Sequence, residues 1–115
     1  QFEFYATPAR VPTIVKSANV ETVADWFLAP NYPNPFNPNT TISYSLAQTA
    51  QISLSIYNLA GQRIATLVDE QQQAGLHTAA WDASLFPSGV YFYKLTAKAE
   101  QNLLFRAFKK MLLVK

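Results

Sequence analysis

From residue 41 onward the chain alternates apolar and polar residues with a period of two, and that rhythm restricts the fold more than any other feature of the sequence. Ile42, Tyr44 and Leu46 alternate with Thr and Ser, and Ile52, Leu54 and Ile56 repeat the pattern after the short connection "AQTA". Successive side chains of a strand point to opposite faces, so this spacing predicts two antiparallel strands with one face each in a core. "YNLAGQ" (57–62) supplies a tight turn in which Gly61 is free to adopt positive φ, and "RIATLVDE" continues as a third strand. Beyond the polar loop "QQQAG", the stretch "LHTAAWD" (76–82) is a fourth strand with His77, Ala79 and Trp81 on one face. "VYFYKLTA" puts Tyr91, Tyr93, Leu95 and Ala97 on one face, and "KAEQN" turns the chain back. The terminal "LLFRAFKKMLLVK" then reads as a last hairpin partner rather than a helix, because it follows a turn and a succession of strands. About seven short strands, with turn signals roughly every 8 to 12 residues, are the pattern of an all-β antiparallel sandwich.

Ahead of these strands stands "NYPNPFNPNTT" (31–41), a segment that reads as neither helix nor central strand. Pro33, Pro35 and Pro38 have no N–H to give to a ladder, and each biases its predecessor towards extended geometry. Tyr32 and Phe36 are large apolar anchors, so the segment is expected to be a stiff loop that packs. The first 30 residues are less regular: "QFEFYA" alternates like a strand, "PTIVKS" can be another, and "SANVETVADWF" opens with an N-cap serine and suggests a helical turn.

The 115 residues are enough for one domain, and a hydrophobic fraction of 50% supplies its core. Six tyrosines and eight phenylalanines favour strands over helices. Charged residues are only 14%, and none occurs between Asp25 and Arg63. That stretch predicts strands buried on one face and coated with Ser, Thr, Gln and Asn on the other, a surface suited to an extracellular setting or an assembly interface. A net charge of +2 is too small to imply a nucleic-acid partner, although Lys94, Lys98, Arg106, Lys109, Lys110 and Lys115 face only Glu100 after residue 93. Without cysteine there is no disulfide and no thiolate nucleophile. No apolar run approaches the roughly 18 residues of a membrane span. A chain starting at Gln1 is expected to be a processed product or a piece of something longer.

The search for chemistry returns structural residues. His77 is the only histidine, with no partner at relay or metal spacing, and is expected on a surface or an edge strand. Asp69 and Glu70 sit where a strand meets a loop, as solvated charge does. Gly61, Gly75 and Gly89 each lie beside a turn and build no phosphate cradle. Trp26, Trp81 and the tyrosines offer a sugar-stacking platform if they are exposed and a core if they are not. "FRAFKKM", with Phe105 and Phe108 among Arg106, Lys109 and Lys110, fits an anionic partner or a basic edge strand that blunts aggregation. Neither an enzyme nor a cofactor emerges.

Taken in order, "NYPNPFNPNTTISYSL", "LSIYNLAGQRIATLV", "AGLHTAAWD", "PSGVYFYKL" and "KKMLLVK" resemble the type A C-terminal sorting domain of the type IX secretion system found in Bacteroidota and related bacteria. The resemblance runs from about residue 28 to the end. It implies an immunoglobulin-like sandwich over residues 31–115, with residues 1–30 as an N-terminal arm, a linker or the end of a preceding cargo region. It also implies a non-catalytic role: the outer-membrane translocon recognises the domain, the fused upstream cargo leaves the periplasm for the cell surface or exterior, and a sortase-like protease removes the domain in many members. The family's marks fall on Asn31, Pro33, Pro35, Phe36 and Pro38, then on Tyr57, Asn58, Gly61 and Gln62. They continue on Gly75, His77 and Trp81, and on Ser88, Gly89 and Tyr91. The last strand carries much of the signal in the family, which implicates Lys109, Lys110, Met111, Leu113 and Lys115. Residues 1–30 depart from the family pattern, and two other readings stand beside it. One is a self-assembling filament or surface-layer subunit that donates the N-terminal arm as a strand to a neighbour; the other is a carbohydrate-binding module.

Overall fold

The computed structural model describes residues 25–115, which form seven strands and no helix. Strands β1 (Phe27–Leu28), β2 (Asn39–Leu46) and β5 (Gly75–Asp82) make one antiparallel sheet in the order β1-β2-β5. Strands β4 (Arg63–Gln72), β3 (Ala50–Tyr57), β6 (Gly89–Ala99) and β7 (Asn102–Leu113) make the other, in the order β4-β3-β6-β7. The inward faces are those the alternation marks: Ile42, Tyr44 and Leu46 from one sheet meet Ile52, Leu54, Ile56, Tyr93 and Leu95 from the other, all buried. Each such aliphatic side chain contributes about 1.5–3 kcal/mol by leaving water.

Four expectations need correction. Strands β2 and β3 are not hairpin partners: β2 pairs with β1 and β5, β3 with β4 and β6, so residues 47–49 carry the chain from one sheet to the other across the core. Period two fixes which side chains face inward, and a short connection suits a sandwich corner as well as a hairpin. The proline segment does supply a central strand, because Asn39 to Thr41 open β2, the middle strand of its sheet. Pro38 stands just before that strand, so its missing N–H costs no ladder bond, and its carbonyl accepts from Ala83 N–H at 2.9 Å. Tyr32 is not an anchor: it is 80% exposed, whereas Phe36 is buried. Strand β4 also runs on to Gln72, which pairs with Ala50 and shortens the expected "QQQAG" loop to residues 73–74. In "SANVETVADWF", Phe27 belongs to β1. The strands expected in "QFEFYA" and "PTIVKS", the rest of the suggested helical turn before Asp25, and most of the arm proposed for self-association lie outside the described residues.

The sandwich has two ends. At one, the chain crosses or reverses through residues 47–49, 73–74 and 100–101, with Glu100 and Gln101 at φ of 54° and 69° in the tight β6–β7 turn. At the other lie the loop 29–38, the turn 58–62, the connection 83–88 and the last residues of the chain. Phe27 pairs with Ser45 near the end of β2, so β1 begins at the first end, while Leu113 at the end of β7 lies at the second.

Candidate functional site

The second end is where widely separated segments meet. In the loop ahead of β2, Asn31 Nδ2 donates to Thr40 Oγ1 at 3.0 Å and to the Pro33 carbonyl at 3.2 Å, and the Thr40 hydroxyl donates to the same carbonyl at 2.9 Å. Paired backbone bonds between Tyr32 and Thr41 close the base of this loop. With its conformation fixed, the loop turns Phe36 into the core and lays its own backbone beside the end of β7.

That contact is a short parallel bridge. Phe36 N–H donates to Leu112 C=O at 3.0 Å, Val114 N–H donates to Phe36 C=O at 2.9 Å, and Leu112 N–H is taken by Asn34 Oδ1 at 3.0 Å. The final residue is held as well: Lys115 N–H donates to Ser88 Oγ at 2.9 Å, and its ammonium to the Ser84 carbonyl at 2.7 Å. Edge strands left with free N–H and C=O groups invite pairing with other chains, and here the last turn of the edge is occupied from within.

Beneath the clamp lies an aromatic cluster. Trp81 packs against Phe36 at 5.8 Å, Phe86 at 5.6 Å and Tyr91 at 5.5 Å between centroids, in the tilted arrangements aromatic rings prefer. The Tyr91 hydroxyl donates to the Pro87 carbonyl at 2.6 Å, which fixes the "PSG" corner over the cluster. Beside it, Asn58 ties its turn to Gln62: Gln62 N–H donates to Asn58 Oδ1 at 3.0 Å, and Asn58 Nδ2 to Gln62 Oε1 at 2.9 Å. Gly61 in that turn has φ of 86°, a conformation that L side chains rarely adopt.

The positions singled out in the sequence therefore divide by place. Asn31, Pro33, Pro35, Phe36 and Pro38, Tyr57 to Gln62, Trp81, Ser88 to Tyr91, and Met111 to Lys115 gather at one end. Gly75 and His77 lie at the other, where the His77 ring stacks on Tyr44 at 5.5 Å and its Nε2 donates to the Gln73 carbonyl at 2.7 Å. Tyr44 donates its hydroxyl to Gln72 Oε1 at 2.6 Å, and burial raises its pKa above the ordinary tyrosine value. Tyr93 joins the two sheets through a 2.7 Å hydrogen bond from its hydroxyl to the Ala29 carbonyl. Burial pushes that hydroxyl up to about 12, against a smaller opposing effect of its hydrogen bond with the Asn31 backbone.

No group of three or more metal-ligating side chains comes together among the described residues. The aromatics considered for sugar stacking are mostly core: Trp81, Tyr44, Tyr91 and Tyr93 are buried, and Trp26 stacks on Phe105 at 5.7 Å. Asn34 and Thr40, which set the clamp, were not singled out in the sequence. The signal for Asn34 was its place before Pro35, and for Thr40 the polar residue at the first inward position of β2.

Comparisons with known proteins bear on the family and the fold. A family model described as a secretion system C-terminal sorting domain matches residues 31–106, about two thirds of the chain. Among solved structures, dimeric latent PorU from Porphyromonas gingivalis is similar with a TM-score of 0.59 at 17% identity, over 96% of this chain and 10% of that one. CopC from Methylosinus trichosporium OB3b is similar with a TM-score of 0.50 at 12% identity, over 77% of this chain and 93% of that one. At such identities these two structures speak for the sandwich alone. None of the curated proteins matches the chain.

Proposed function

The chain belongs to the family of secretion system C-terminal sorting domains, and from that premise we propose that it is the non-catalytic address of a type IX export substrate. In this reading the outer-membrane translocon recognises residues 31–115, the cargo joined ahead of them crosses to the cell surface or exterior, and a sortase-like protease processes the domain. Residues 1–30 are then an arm, linker or cargo end, whose last part reaches the domain through β1. The observation that carries the proposal is the clamp: the loop that opens the family's motif and the strand that closes it are hydrogen-bonded at one end, by Phe36 to Leu112 and Val114 and by Asn34 to Leu112. Strand β1 begins at the opposite end of the sandwich from this clamp.

The test joins residues 25–115 to a periplasmic reporter in a bacterium that has this secretion system. The reporter is expected outside the cell, and its retention in the periplasm sinks the proposal. Removing residues 112–115 is expected to abolish export, with circular dichroism run alongside to separate a lost signal from a lost fold.

A further inference from the structure

The four-stranded sheet has an outer face that the core does not use. Reading across β4-β3-β6-β7, the register sets Arg63, Tyr57, Phe92 and Lys110 in one row, and Thr66, Ser55, Lys94 and Phe108 in the next. Between the 58–62 turn and β7 these rows leave a slot of about 290 Å³ walled by Tyr57, Leu59, Phe92, Lys94 and Phe108. Its rim is apolar and open: Leu59 is 73% and Phe108 69% exposed. Exposed apolar surface framed by polar groups marks interaction sites.

The slot is also one-signed. Arg63, Lys94 and Lys110 belong to its two rows, and no carboxylate does. Asp69 stands one outward row further along and accepts from Gln51 Nε2 at 3.3 Å, Glu70 and Glu100 lie towards the other end, and Asp82 is on the other sheet. Lys94 holds its ammonium 5.2 Å from the centre of the Tyr57 ring, so one cation is already set over the apolar wall. Lys94 and Lys110 are diagonal neighbours on adjacent strands, which sets the positions from which their side chains spring about 7–8 Å apart. Alternate residues of an extended segment share one face about 7 Å apart, so two of them can offer carboxylates to these lysines while a third, two residues further on, offers an apolar side chain to the slot.

Resting on the sorting reading above, we propose that this slot docks an acidic, extended protein segment of the export machinery that inserts one large apolar side chain beside Phe108 and sets carboxylates against Lys94 and Lys110. A protein segment fits better than an anionic membrane, because Lys94 walls one apolar slot and Lys110 stands in the adjacent row, an arrangement that suits a single strand rather than a flat charged face.

The test uses the full 115-residue chain and two probes: a random glutamate–tyrosine copolymer, and vesicles of phosphatidylglycerol with phosphatidylcholine. The double variant Lys94→Glu/Lys110→Glu and the single variant Phe108→Ser are each expected to weaken copolymer binding about tenfold or more, with thermal midpoints unchanged. Leu76→Ser, on the other sheet, leaves binding as it is. Fused to the periplasmic reporter, the first two variants are expected to lower export about tenfold and the third not at all. Unchanged copolymer binding or undiminished export in both slot variants overturns the proposal, as does a chain that binds the vesicles through these lysines and ignores the copolymer. If the unaltered chain fails to export the reporter, the sorting reading falls, while the copolymer titration still decides the slot.

Discussion

At one end of the sandwich the chain turns through residues 47–49, 73–74 and 100–101, and each link joins strands that follow one another in sequence. At the other end the bonds join residues far apart: Asn34 holds Leu112, Phe36 bridges to Val114, and Lys115 reaches Ser84 and Ser88. The first end is made of short connections and forms at the cost of short loop closures; the clamp at the second needs nearly the whole domain in place before its first bond can form. A recognition surface built at the second end is therefore absent from an incomplete or unfolded chain. The difference teaches why residues as far apart in sequence as Asn34 and Leu112 come together only on folding.

The most forceful way to break this contrast is Trp81→Ala. Removing a buried indole that touches Phe36, Phe86 and Tyr91 is expected to cost about 3–5 kcal/mol in chemical denaturation. A loss of less than about 1 kcal/mol would show that the second end is not cooperatively packed.

Next in size is Tyr93→Phe, which cuts the hydroxyl bridge from the four-stranded sheet to Ala29 and leaves buried backbone groups short of a partner, at about 1–3 kcal/mol. The same residue sets an alkaline limit. Unfolded tyrosine ionises near its ordinary value of 10.0, while the folded hydroxyl keeps its proton to about 12. Its contribution is whole below pH 10.0 and is lost as pH rises through about 12, so denaturation midpoints fall over that window, and they fall less in Tyr93→Phe.

Smaller again is Asn34→Ala, which removes the acceptor of the Leu112 N–H and is expected to cost about 1 kcal/mol. Hydrogen exchange is the sharper reading: the Leu112 amide should exchange faster while amides near the 100–101 turn do not change. At the bottom of the scale, Leu76→Ser at the first end alters a side chain that is 84% exposed, and stability should stay within about 0.5 kcal/mol.

Much of this was legible in the sequence, and particular residues show where legibility stops. Tyr91, Tyr93, Leu95 and Ala97 face inward as their spacing requires, and the terminal strand, despite its apolar run, pairs with β6 along its whole length. Alternation gives the facing of a residue but not its neighbour, so the transfer from β2 to β3 between sheets looked like a hairpin. Tyr32 and Phe36 are both large and aromatic, and only the closing of the loop on β7 decides that one is buried and the other is not. The candidate site was readable as a set of residues and unreadable as a place, because nothing in a linear sequence brings position 34 to position 112. The outer slot was hinted at by Phe108 among its lysines, while Tyr57, Leu59 and Phe92 reach it only through the register.

Strand β1 runs from the first end towards the second, and β7 runs the same way to finish beside Gly89. Ladder bonds of antiparallel strands lie perpendicular to the strand axis. Tension applied between residue 25 and the C-terminus would therefore run along the strands. It strains the bonds of β1 and β7 all together, in shear, instead of peeling them apart one after another. A pull on the two ends of the described chain is thus met by ladders loaded in parallel, not by a zipper.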